Sequence, residues 1–128
     1  MIVIDTSAII AVILNEASSQ RVSDAIAQSD ACTISPVTLT EATMVLSRTV
    51  HDPKLVLDSY LHTLGIEICA IDSAQAELAR TAFLGYGKGR HPARLNIGDC
   101  FSYAAAKALS APLLYVGEDF AKTDVRAA

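Results

Sequence analysis

The apolar positions of this chain fall into two rhythms. Ile2-Val3-Ile4, Cys32-Thr33-Ile34 and Leu113-Leu114-Tyr115-Val116 are short and unbroken or nearly so. Runs of that kind predict strands covered on both faces. Ile66 to Ile71 alternates and predicts one more strand. Between them lie longer segments bounded by helix signals. Ser7–Leu14 follows possible caps in Asp5 to Ser7, and Ser18–Gln28 predicts a second helix. Ser35-Pro36 opens a helix to about Arg48, with proline at the first helical position. Asp52-Pro53 opens another that stops at Gly65. Asp72 or Ser73 caps a helix to about Leu84, and Asn96 caps one from Ile97 to about Ser110, where Ala111-Pro112 breaks it. Residues 85–92 hold three glycines and a proline and predict a loop, and 121–128 predict short turns and a loose end.

Strands alternating with helices predict an α/β fold with a mostly parallel central sheet flanked by helices. A length of 128 residues predicts one domain, 1–128. Composition changes the picture little: 52% hydrophobic residues suffice for a core, and with no Trp it must rest on Ile, Leu, Val and Ala. The three cysteines, Cys32, Cys69 and Cys100, form no CxxC pair and predict buried free thiols in a reducing, cytoplasmic setting. The start has no basic region, and the apolar stretch 8–14 is too short to span a bilayer, so neither signal peptide nor membrane helix is expected.

The candidate chemistry is acidic. Asp5 ends the first apolar run, Glu41 lies near the start of the third helix, Asp99 follows the Asn96 cap, and Asp119 follows the last strand. In an open α/β sheet, the carboxyl ends of the strands line one crevice. Four carboxylates meeting there would repel one another, and a divalent cation relieves that. Each acid also has a structural use. Thr38-Leu39-Thr40-Glu41 fits a capping box, Asp99 suits the third position of its helix, and Asp5 and Asp119 could cap. Capping and function are compatible, since a helix N-terminus favours the charged carboxylate.

The net charge is −4, which argues against a protein coating nucleic acid by bulk charge. The distribution says more. No acid lies between Glu77 and Asp99, whereas Arg80, Lys88, Arg90 and Arg94 do, in a glycine-rich stretch able to follow a phosphate backbone. His51, His62 and His91 have no metal-ligand spacing, and Cys100 has no histidine partner to make it a nucleophile.

Ile2 to Ala8, the Glu41 helix, the block from Gly87-Lys88-Gly89-Arg90-His91-Pro92 through Asn96-Ile97-Gly98-Asp99-Cys100-Phe101 to Ala104, and Leu113 to Phe120 together resemble the PIN-domain family. Within it, the chain is similar to VapC-type toxin ribonucleases. The resemblance spans the whole chain, and the block from Lys88 to Ala104 is its most specific part. The family's four acids match Asp5, Glu41, Asp99 and, before Phe120, Asp119 rather than Glu118; Thr6 or Ser7 matches its hydroxyl near the metal. The resemblance implies RNA cleavage dependent on Mg²⁺ or Mn²⁺, a homodimer, and inhibition by a cognate antitoxin.

On that reading Asp5 and Asp99 bind metal directly. Glu41 and Asp119 serve a second ion or ordered water, and Lys88, Arg90 and Arg94 hold RNA phosphates. The antitoxin is expected to place a basic side chain in the acidic pocket, and apolar residues 8–14 and 39–46 serve as dimer face or as core. A receiver-like signalling domain would need a pair of acids after the first strand and a late lysine, and an aspartyl phosphatase would need a second Asp at Ser7. Neither pattern is present. A catalytically inactive PIN-like module that binds RNA or a partner is the remaining alternative.

Overall fold

The computed structural model describes residues 1–128. Strand β1 is Ile2–Ile4 and is followed by α1, Thr6–Ile13, and α2, Ser19–Gln28. Strand β2, Cys32–Ile34, leads into α3, Pro36–Leu46, and α4, Pro53–Leu64. Strand β3, Glu67–Ile68, precedes α5, Ser73–Tyr86, and α6, Ile97–Ala108, and β4 is Leu113–Leu114. A short 3-10 turn covers Phe120–Lys122. The four strands are all parallel, in the order β3-β2-β1-β4.

The sheet separates two apolar cores. Ile2 and Ile4 point to one face, with Ile9, Val22, Ile26, Leu46 and Leu57 from α1 to α4. Val3 points to the other, with Ala79, Ala82, Tyr103 and Ala104 to Ala106 from α5 and α6. Leu114 and Leu113 divide the same way, as a side-chain period of two requires. Burial on both faces is why β1 reads as an unbroken apolar run. The small side chains of α5 and α6 let those two helices pack against each other. Of the two uses expected for residues 8–14 and 39–46, core prevails at Ala8 to Ala11, Ala42 and Leu46, while Met44 stays in solvent.

Several boundaries move from their expected places. Strand β3 is only two exposed residues of the expected 66–71, because it is the sheet's outer strand and pairs on one side. Strand β4 stops at Leu114 because the chain then turns toward Ser7, whose hydroxyl takes the Val116 N–H at 3.0 Å. The tail is not a loose end. Ala127 pairs in parallel with Leu113, and Leu113 N–H donates to Arg126 O at 2.8 Å, closing the outer edge of β4. Tyr103 Oη and Lys107 Nζ hold Asp124 at 2.7 and 2.9 Å and tie the tail to α6. No helix is long and apolar enough to cross a membrane.

Candidate active site

Chain order reverses at β1: β2 and β3 lie to one side and β4 to the other. The crevice beyond the carboxyl ends of β1 and β4 is therefore the switch point at which α/β folds bind ligands. Asp5 stands there. It caps α1, its Oδ2 accepting from Ser7 N–H at 3.0 Å and Ser7 Oγ at 2.6 Å. Its Oδ1 accepts from Ser102 Oγ at 2.6 Å, and only 2% of the residue is exposed.

Glu41 arrives from α3. The capping-box role suggested by Thr38 to Glu41 does not occur, because Ser35 caps this helix and Glu41 lies within it. Its carboxylate is instead bound across the crevice by Thr6 Oγ1, at 2.6 Å from Oε1. It rests directly on Gly98, where a Cβ would collide with both carboxylate oxygens. The glycine in Asn96-Ile97-Gly98-Asp99 is thus a close-approach residue.

Asp99 is the third residue of α6 and forms a capping box with Asn96. Asp99 N–H donates to Asn96 Oδ1 at 2.9 Å, and Asn96 N–H donates to Asp99 Oδ2 at 3.0 Å. The expectation that the helix start would keep this acid ionised is overturned. The Asn96 N–H does lower its pKa, but burial, and then the charges of Asp5, Glu41 and Asp119, push it up to about 7. Three neighbouring carboxylates and partial desolvation outweigh one hydrogen bond.

Asp5, Glu41 and Asp99 line one cleft of about 290 Å³, with Thr6, Ser7, Ile10, Val45, Asn96 and Val116. Asp119 is outside that lining, at the start of the 3-10 turn, and its charge reaches Asp99; Glu118 is not among the groups acting there. Glu16 also lines the cleft and was missed from sequence. Asn15, at φ 53°, turns the chain after α1 and returns Glu16 to the site, and an Asn-Glu pair after an apolar helix gives no sign of that.

The basic residues do not line the cleft. Lys88 and Arg94 are exposed on the 87–95 loop, two residues from Asn96 at the nearest. Arg90 is tied back to α5, its Nε donating to Leu84 O at 3.2 Å and its guanidinium lying 6.0 Å from the Phe83 ring. Cys100 faces the core, where burial pushes its thiol up to about 11, so it is no nucleophile. Cys32 is buried, while Cys69 is only half-buried.

Residues 2–126 match the sequence model of the PIN domain. This chain belongs to the PIN-domain family. It is similar to Ribonuclease VapC of Mycolicibacterium smegmatis, 43% identical over 126 residues that span 98% of each chain. It is likewise similar to Ribonuclease VapC30 of Mycobacterium tuberculosis, 40% identical over 96% of this chain and 95% of that one. The fold matches that of Mycobacterium tuberculosis VapC20, a sarcin-ricin-loop cleaving toxin, at TM-score 0.80 and 17% identity over 100% of this chain and 98% of the other. It also matches VapBC2 of Rickettsia felis bound to a promoter DNA fragment, at TM-score 0.74 and 19% identity over 99% and 96% of the two chains.

In this PIN domain the donors at the cleft are all hard oxygens, with no His or Cys among its lining residues. That set suits a hard divalent cation and not Zn²⁺. No three of the acids close tightly enough to grip an ion unaided. Mg²⁺ accepts such a site, since it keeps several waters and takes one or two carboxylates. A positive charge would also return Asp99 to its ionised form.

Proposed function

We infer that this protein is the toxin of a type II toxin–antitoxin pair, an endoribonuclease that hydrolyses RNA phosphodiester bonds with Mg²⁺ or Mn²⁺. The observation that carries this reading is the convergence of Asp5, Glu41 and Asp99, from the end of β1, α3 and α6, on one cleft, where burial and then the neighbouring acidic charges raise the Asp99 pKa to about 7. The full-length similarity to VapC ribonucleases supports it.

Asp5 and Asp99 would hold the cation. When bound, it would polarise the scissile phosphate and neutralise charge that builds on it. Glu41 has Oε1 engaged by Thr6, which leaves Oε2 to accept a proton from the attacking water. Asp119, on the β4 side, would order water on the other flank. Lys88, Arg90 and Arg94 would bind phosphates flanking the cut and offset the cleft's repulsion of RNA. Arg90→Ala should weaken RNA binding and flatten its dependence on salt, with a log–log slope smaller by about one. An unchanged slope would remove this loop from the substrate path.

The cognate antitoxin would block the cleft with an arginine, whose planar fork pairs with carboxylates on two bonds. An arginine-bearing antitoxin peptide should then compete with Mn²⁺ for the protein. Two copies would pair through the apolar side chains left in solvent between α3, α5 and α6, namely Met44, Phe83, Leu84 and Ile97, the last 74% exposed.

The deciding experiment is RNA cleavage by the purified chain with Mg²⁺ or Mn²⁺, with EDTA and with Asp99→Asn. Cleavage should disappear in both controls. Cleavage that survives a folded Asp99→Asn variant would overturn the reading.

A further inference from the structure

Two hydroxyl side chains beneath the acids have no part in the scheme above. Ser102 lies one turn after Asp99 on α6, and Thr38 one turn before Glu41 on α3, and both are fully buried. Residues three apart share a helix face, so each helix presents an acid to the cleft and a hydroxyl one layer below it. The two hydroxyls meet there, Thr38 Oγ1 lying 3.2 Å from Ser102 Oγ. Ser102 Oγ is also 2.6 Å from Asp5 Oδ1.

The direction of these bonds follows from proton counting. An ionised carboxylate can only accept, and a hydroxyl has one proton to give. Ser102 gives its proton to Asp5, so it must accept from Thr38. The chain runs from Thr38 to Ser102 to Asp5, and the first bond polarises the second. At the other carboxylate oxygen, Ser7 supplies two donors. Asp5 is therefore clamped at both oxygens, and Ser102 supplies the only hydrogen bond at Oδ1. The residue is 2% exposed and offers little of its carboxylate to the cleft, so a small rotation withdraws the donor atom.

We propose that Ser102, backed by Thr38, is the positioning residue of Asp5 and sets the orientation in which that carboxylate takes a divalent cation. This rests on the cleft being the metal-dependent nuclease site inferred above. Groups of this kind, behind a ligand, change metal affinity or activity about 10–100-fold when removed.

The test measures Mn²⁺ affinity by calorimetry on the purified chain, with kcat and KM for RNA cleavage alongside. Ser102→Ala should weaken Mn²⁺ binding about 10–100-fold and lower kcat with KM unchanged. Thr38→Val keeps the shape and loses the hydroxyl; it should weaken Mn²⁺ binding by a smaller factor, about threefold. Added to Ser102→Ala, it should do nothing more, because it acts through Ser102. A purely structural role would lower Tm and leave Mn²⁺ affinity and kcat per folded molecule untouched, and that result overturns the proposal. If Ser102→Ala does not fold, unchanged Mn²⁺ affinity in Thr38→Val overturns it instead. A wild-type chain that cuts no RNA but binds Mn²⁺ would count against the nuclease activity, and the affinities would still decide Ser102.

Discussion

Asp99 serves two ends that pull its proton in opposite directions. Its capping box with Asn96 favours the carboxylate, while burial and three acidic neighbours favour the acid, and the balance lies at a pKa of about 7. The unfolded chain would ionise this group near 3.8. A carboxyl raised by folding contributes stability that is full below the unfolded value and is lost as pH rises through the folded value. The metal-free protein should therefore lose stability from this residue between about pH 4 and pH 7. Asp99→Asn keeps an acceptor for the Asn96 N–H and removes the charge. Measured without metal, its Tm relative to wild type should rise as the pH goes from 5 to 8. Mn²⁺ affinity of the wild type should increase with pH and level off above about 7, because the ion must displace the proton below that. A flat affinity across pH 5–8 would show that Asp99 does not bind the ion.

Helices α3 and α6 work as one element at the site. At Gly98 the Glu41 carboxylate lies directly against the backbone of α6. Gly98→Ala would place a methyl group into both oxygens of Glu41 and drive it off Thr6. The methyl meets only the flexible end of Glu41, so the side chain swings away while the backbone stays in place. The expected outcome is a folded protein with Tm nearly unchanged and a kcat reduced as far as that of Glu41→Gln. Equal activity in Gly98→Ala would mean that the Glu41 position is not needed for cleavage.

For the whole molecule, the sheet order 3-2-1-4 decides where the acidic cleft lies. It puts β1 beside β4 and opens the crevice between them, so the charges of Asp5 and Asp119, far apart in sequence, both reach Asp99. The tail stabilises that arrangement from outside. Deleting residues 126–128 would leave the buried Leu113 N–H without its Arg126 partner and uncover the β4 edge. With two backbone bonds lost at about 1 kcal/mol each, Tm should fall by about 7 °C. A Tm unchanged on deletion would make the pairing incidental. The proposed pairing of two copies through Met44, Phe83, Leu84 and Ile97 belongs to the same scale: light scattering should report twice the chain mass, with Ile97→Asp reducing it to one.

Local rules were enough for much of this protein. The caps at Asp5, Ser35, Asp52, Asp72 and Asn96, and the stop at Gly65, were legible because each answers a demand of its own helix end. The doubly buried β1 was legible because a strand covered on both faces has no polar alternation. Asp5, Glu41 and Asp99 could be named as candidates from their placement after a strand or near a helix start. The charge state of Asp99 could not, since it depends on its burial and on how closely distant segments bring other acids to it. Glu16 entered the cleft through a turn after α1, and Arg90 was drawn onto Phe83 and away from it; neither follows from neighbours in sequence. Ser102 and Thr38 read as ordinary helix residues until packing brought them together under Asp5. Sequence determined which elements form and which groups can ionise. Tertiary structure decided which of those groups meet, because burial and proximity between distant segments set both hydrogen-bond partners and proton affinity.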